Sequence, residues 1–277
     1  MYEVRPGQSV ELLKELHILT RDGKMNQDSR RKLKQVYHLH QFIEPLLKEC
    51  QSHHPDLNLV DHGAGKSYLG FILHDLYFRE HAPQGSIHGI ETREDLVTRS
   101  RALADRLGFA NMHFHPLTVA ESMDSPALPA RVDVVTALHA CDTATDDAIR
   151  FALARRARFI VVVPCCQAEV AASLRAGKAR ALARGALAEL WRHPIHTREF
   201  GSHVTNVLRC LQMEAHGYQV NVTELVGWEH AMKNELIIAS LAGPPRRASA
   251  ERLGALLDLL GLDDLRGRFF LPAATPQ

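Results

Sequence analysis

Between Leu57 and Leu241 short apolar runs of strand length alternate with amphipathic stretches of helix length, and this alternation restricts the possible folds more than any other feature. Strands read at Asn58–Asp61, Ser86–Glu91, Met112–His115, Val132–Leu138 and Phe159–Val163. Helices fit between them over Tyr68–Glu80, Arg93–Gly108, Asp146–Arg155 and Glu169–Trp191. Strand, helix and strand in succession join by right-handed crossovers, so the α/β class with a parallel sheet follows. After a helix at Val204–His216, the runs Gln219–Leu225 and Glu235–Leu241 have little but a loop between them and should pair antiparallel.

The flanks are helical. Val10, Leu12, Leu13, Leu16 and Leu19 recur at helical spacing up to the break at Gly23, and Leu33, Val36, Leu39, Phe42, Ile43, Leu46 and Leu47 mark a second helix capped by Asn26 or Asp28. Gly243-Pro244-Pro245 stops the last strand before a helix at Ser249–Leu260. The expected organisation is a helical segment at 1–50, the α/β domain at 51–242 and a helical tail at 243–277. With 45% apolar residues and a net charge of +1, the chain can bury a full core, and its overall charge selects no acidic partner. The longest apolar run, Phe159–Cys166, is too short for a membrane span. The first residues lack the form of a signal peptide, and five cysteines do not make a disulfide framework. A cytoplasmic location with no membrane partner is expected.

The most informative segment is Asp61-His62-Gly63-Ala64-Gly65-Lys66-Ser67-Tyr68, where a buried strand ends in an acid and a Gly-x-Gly turn feeds a helix. Glycine lets a ligand approach the backbone without meeting a Cβ, and the helix start offers free N–H groups. Three ligands compete. A triphosphate loop needs glycine where Val60 stands, and a dinucleotide fingerprint needs one at Tyr68. The remaining reading is the amino-acid end of S-adenosylmethionine, with Asp61 taking the ammonium and Gly63 and Gly65 leaving room. On the second strand, Glu91 is placed to accept both ribose hydroxyls, with Arg93 next in the turn. The competing reading makes Asp61 and Glu91 helix caps or solvated loop acids. The candidate cofactor-binding set is Asp61, His62, Gly63, Ala64, Gly65, Lys66, Glu91, Arg93, Leu138 and His139.

Ligands of open α/β sheets sit at the carboxyl ends of the strands. There the fourth strand runs into Leu138-His139-Ala140-Cys141-Asp142 and the fifth into Pro164-Cys165-Cys166-Gln167. His139 is a candidate base or orienting donor, or an ordinary strand-end residue. Cys165 is a candidate nucleophile of the kind that attacks cytosine, or a buried packing thiol. Lys34, Cys166, Gln167 and His203 are candidate substrate contacts, the last in a connector at 197–203. His193, His196 and His203 lack a rigid ligand spacing, so no metal site is expected.

These motifs together resemble one group of class I methyltransferases. The carriers are Asp61-x-Gly63-x-Gly65-Lys66-Ser67-Tyr68-Leu69, Leu138-His139-Ala140-Cys141-Asp142, Pro164-Cys165-Cys166-Gln167 and Lys233–Ala239. The basic helix from Arg31 to Val36 is similar to that group's lead-in, and the likeness spans about residues 30–242. The resemblance implies a seven-stranded Rossmann-like sheet in the order 3-2-1-4-5-7-6 and S-adenosylmethionine as cofactor. It is nearly silent on the acceptor. Relatives that modify RNA raise RNA as the acceptor by analogy; a small molecule, a protein, or an inactive cofactor-binding module are the alternatives. No DNA partner is expected, and oligomeric state is open. Two basic clusters bear on RNA: Arg30, Arg31, Lys32 and Lys34, and a second from Arg150 to Arg184. They read either as phosphate holders at the site's mouth or as solvated helix faces.

Overall fold

A computed structural model describes residues 4–138, 140, 143–164, 168–178, 189–190, 192–225 and 235–270. Helix α1 (Val10–Glu15) starts at Ser9, whose hydroxyl accepts from the Leu12 amide, and α2 (Gln27–His53) starts at Asn26, whose side chain accepts from the Ser29 amide at 2.8 Å. Of the two residues read as caps, Asn26 fills that role. The sheet then builds from β1 (Asn58–His62), β2 (Ser86–Ile90), β3 (Met112–His115), β4 (Val134–Ala137) and β5 (Phe159–Val162). The strands β6 (Tyr218–Glu224) and β7 (Glu235–Leu241) complete it.

The strand order is 3-2-1-4-5-7-6, with β7 antiparallel to both β5 and β6. Helices α3 (Tyr68–Leu73) and α4 (Arg79–His81) follow β1 with a π turn, His74–Phe78, between them. Helix α5 (Glu94–Leu107) follows β2, and α6 (Val119–Met123) follows β3. Helix α6, absent from the sequence reading, is held by a reciprocal cap between Thr118 and Glu121. Helix α7 (Thr143–Ala154) leads to β5, and α8 (Glu169–Ser173) runs into a second π turn at Leu174–Lys178. Helix α9 (Pro194–Ala215) precedes β6, and α10 (Arg247–Leu260) and α11 (Arg266–Phe269) follow β7.

Alternate residues of each strand face opposite layers. Leu59, Ile87, Phe114, Val134 and Val161 join α2 and α3 in one core, which also takes Leu12, Leu13 and Leu16 of the amino-terminal segment. Val60, Ile90, Val135, Ile160 and Ile237 face α7 and the carboxyl-terminal part of α9. A third cluster packs α10 and α11 on α9.

One expectation is corrected. The segment 197–203 is not a connector but the first turns of α9, because Pro194 sits at the helix's first position, where its missing N–H costs nothing. The long helix expected at Glu169–Trp191 is described only as α8 and its π turn; residues 179–188 and Trp191 lie outside the described residues.

The layer behind the fourth strand is joined by a buried ion pair. Arg209 of α9 donates from Nε to Asp146 Oδ1 at 2.7 Å and from a terminal nitrogen to Oδ2 at 3.0 Å. The Arg209 side chain is fully buried, and that of Asp146 is 4% exposed. Truncating one partner leaves the other charge buried alone. Arg209→Ala should cost about 3–5 kcal/mol in denaturant unfolding, whereas Arg209→Met combined with Asp146→Leu should recover most of it.

Candidate cofactor and active site

The candidate site grows from a cross-strand pair. Asp61 on β1 lies opposite Thr136 on β4 in the parallel register, and the threonine hydroxyl donates to Asp61 Oδ1 at 2.6 Å. Asp61 is 3% exposed and has no ion-pair partner among the described residues. Burial pushes its pKa up to about 7, and the threonine hydrogen bond only partly opposes that. A carboxyl group held this way favours a bound cation.

The turn after β1 has left-handed backbone at Gly63 (φ +63°), Gly65 (φ +57°) and Ser67 (φ +53°). A Cβ at Gly63 would come within 3.1 Å of the Ala140 backbone. At Gly65 it would meet nothing nearer than 3.9 Å, so that glycine opens space rather than avoiding a clash. Ser67 is a non-glycine residue held in the same region, a local strain that concentrates at functional sites. Across the turn, the Gly65 amide donates to Glu91 Oε2 at 2.9 Å and the Arg93 amide to Glu91 Oε1 at 3.0 Å. Burial alone would raise the Glu91 pKa, but these bonds and the Arg93 guanidinium hold it below the usual carboxylate value. Glu91 therefore stays ionised and braces the turn, with acceptor capacity to spare.

Beside Asp61 lies a cavity of about 280 Å³. Gly63, Ala64 and Leu138 form its inner wall and Tyr68, Leu69 and Ile72 of α3 its side. Lys32, Gln35, Val36 and Leu39 of α2 close it, with Ile18 from the segment between α1 and α2. Positions 32, 35, 36 and 39 fall on one face of α2, and Lys34 does not. The half-buried Lys34 therefore sits off the cavity while Lys32 lines it. His62 turns the other way: it is fully buried against Phe151 at 4.6 Å between ring centroids, and burial lowers its pKa to about 3. Lys66 is exposed and lines a separate recess. The Arg93 side chain is 64% exposed and reaches the site through Glu91, its Nε donating at 3.2 Å. His203 is exposed on α9. His139, Cys165, Cys166 and Gln167 lie outside the described residues. The structure thus brings Asp61, Gly63, Ala64 and Leu138 to one cavity, with Gly65 and Glu91 beside it. Ile18, Gln35 and Tyr68 were missed, and Lys32 was read only as part of the basic cluster; for the α2 pair, the signal was their spacing with Val36 and Leu39.

Two acids flanking the turn disfavour a triphosphate, while a buried carboxyl with no cation partner among the described residues and an open glycine turn fit a zwitterionic sulfonium nucleoside. Fold and site define the class: a seven-stranded transferase sheet with a nucleoside cofactor site at its carboxyl edge. A family model described as a methyltransferase domain matches residues 31–173, and the chain belongs to that family. It is an S-adenosylmethionine-dependent methyltransferase. Among curated proteins it is similar to the glutathione S-transferase C-terminal domain-containing proteins of Mus musculus and Homo sapiens, 28% and 27% identical over 146 residues. The match takes 53% of this chain but only 20% of the length of those relatives. A putative O-methyltransferase structure from Klebsiella pneumoniae shares the fold, with a TM-score of 0.50 and 12% identity over 87% of this chain and 93% of that one.

The raised pKa of Asp61 sets a testable sign. Below about 7 the carboxyl carries a proton, which a ligand ammonium must displace, so S-adenosylmethionine affinity should fall about tenfold per pH unit below that value. Without ligand, the group's contribution to stability should decline as pH rises from its ordinary 3.8 towards 7. Calorimetry of Asp61→Asn should show weak binding with no such pH dependence, and unfolding across the same range should be flatter.

Proposed function

We propose that this methyltransferase acts on RNA, with the transferase unit at residues 51–242, residues 1–50 as a cap over the site and 243–277 as a tail packed on α9. The observation that carries the reading is the start of α2. Arg31 is exposed, has no ion-pair partner among the described residues and flanks the face of α2 that carries Lys32 into the cavity wall. Arg30, equally exposed, lies on the far side of the helix and adds only to the charge of its first turn. Fixed cations at the rim of a mostly apolar pocket suit a nucleotide whose phosphates stay outside while its base enters. A closed apolar pocket without a basic rim would instead favour a small molecule.

The part of the second basic cluster that precedes β5 does not support this reading in the same way. Arg155 and Arg158 precede β5 and so lie at the amino ends of the strands, away from the cavity. Their guanidinium groups are spent on the protein, Arg155 on the Met123 carbonyl at 2.9 Å and Arg158 on Glu49. Arg150 donates to the Gly267 carbonyl at 2.9 Å.

The sulfonium of the cofactor supplies the electrophilic methyl group, so the chain's own task is placement. Asp61 would hold the ammonium and Glu91 the ribose, while Gly63 and Gly65 keep the floor open. Apolar walls from Ile18, Val36, Leu39 and Leu138 exclude water. His139, which follows Leu138 of the cavity wall in sequence, is proposed to orient the acceptor. Cys165 is proposed as a packing thiol, since a free thiol is among the side chains most often buried. Cys166 and Gln167 are proposed acceptor contacts, and Lys34, off the cavity face, is not.

Incubation with methyl-labelled cofactor and fractionated cell extract should place label in RNA. Label confined to protein or to metabolites would reject the reading. Arg30→Glu with Arg31→Glu should raise KM for RNA severalfold, more at low salt than at high, with little change in cofactor affinity. Cys165→Ala should retain activity.

A further inference from the structure

Lys66 stands in the glycine turn yet points out of the cofactor cavity. It lines a second recess of about 300 Å³ together with Glu15 and Leu16 at the end of α1, Tyr68, and Leu96, Arg99, Ser100, Leu103 and Arg106 of α5. The α5 residues recur at three- and four-residue spacing, so one helix face looks into the gap. The charges there are unequal. Arg106 is neutralised by Glu15 at 2.6 Å and Glu11 at 3.5 Å. Lys66 and Arg99 have no ion-pair partner among the described residues, and no other acid lines the recess. Two uncompensated cations at a concave polar and apolar surface attract an oxyanion.

The recess adjoins the cofactor cavity, because Tyr68 forms a wall of both. It also adjoins the basic start of α2: the Tyr68 hydroxyl donates to the Leu16 carbonyl, and Lys32 donates to the next carbonyl, that of His17, at 3.1 Å. Only the end of α1 separates the two sets of cations. We propose that Lys66 and Arg99 form a phosphate subsite holding a phosphodiester of the acceptor strand beside the methylated nucleotide. The identity of that strand rests on the RNA reading; the oxyanion site does not.

The test uses the full chain, Arg99→Glu and Lys66→Gln, both surface changes. Two probes are applied: inorganic phosphate, read by thermal unfolding, and a short mixed-sequence single-stranded RNA, read by fluorescence anisotropy across a salt series. The proposal expects phosphate to raise the Tm of the native chain but not of either variant. It expects the slope of log affinity against log salt to shrink by about 0.7 for each cation removed, with S-adenosylmethionine affinity of Arg99→Glu unchanged by calorimetry. Equal phosphate responses and equal slopes in all three proteins overturn it. A phosphate response lost in the variants with RNA slopes unchanged overturns the phosphodiester assignment. If no label enters RNA in the transfer assay while phosphate discriminates the variants, the RNA reading falls and the oxyanion site stands.

Discussion

The geometry of the candidate cofactor site depends on one carboxyl group taken out of water at the carboxyl edge of the sheet. Asp61 is held by its strand register: β1 against β4 sets Thr136 beside it, and among the described residues a single hydroxyl is the partner it receives. Burial with so little compensation makes the unliganded site favour a proton or a ligand cation. Glu91 is the counterpoise. It accepts two backbone amides and the Arg93 side chain, so it remains charged and fixes the turn whose openness the ligand needs. The two acids have opposite environments and correspondingly different tasks.

The amino-terminal segment is part of the site rather than an appendage. Both carboxylate oxygens of the buried Asp75 accept from the Ser9 amide, at 3.2 and 3.0 Å, and Asp75 also pairs with Arg79 at 3.0 Å. Tyr37 accepts from the Arg5 amide at 3.1 Å. These bonds anchor the chain before α1, and Ile18, 1% exposed, then closes the cavity from above. The cap is tied near the cavity by Tyr68 and Lys32 through two successive carbonyls, so the wall of the pocket and the fastening of its cover are the same side chains.

Much of the architecture was readable because strand and helix periods differ and because loop length decides whether neighbouring strands run parallel or antiparallel. Strands β3 and β7 have the bounds read from their apolar runs, Met112–His115 and Glu235–Leu241. Helix α6 escaped because five residues are too few for a periodic signal, and its Thr118–Glu121 cap was the mark to seek. The segment 197–203 misled because a polar composition looks like a loop, while α9 needs only one face of it for packing. In the candidate site, motif chemistry picked out Asp61, Gly63, Gly65 and Glu91, and the structure brings Asp61 and Gly63 to the cavity with Gly65 and Glu91 beside it. His62 and Lys66 were not separable from them, since a motif names neighbours in sequence without saying which way each side chain turns.

By itself the sequence determined the order of the elements, the glycine turn and the acids on its two sides, because these depend on local backbone preference and spacing. Only the tertiary structure decided which basic and polar residues line the candidate cavity. Lys32 and Gln35 belong to α2, remote in sequence from Asp61, and reach the cavity because α2 packs over the carboxyl edge of the sheet. Arg155 and Arg158, equally basic, fall at the opposite edge because they precede a strand rather than follow one. Charge can be counted along a chain, but the end of the sheet at which it lies is set by the direction of the strand it adjoins.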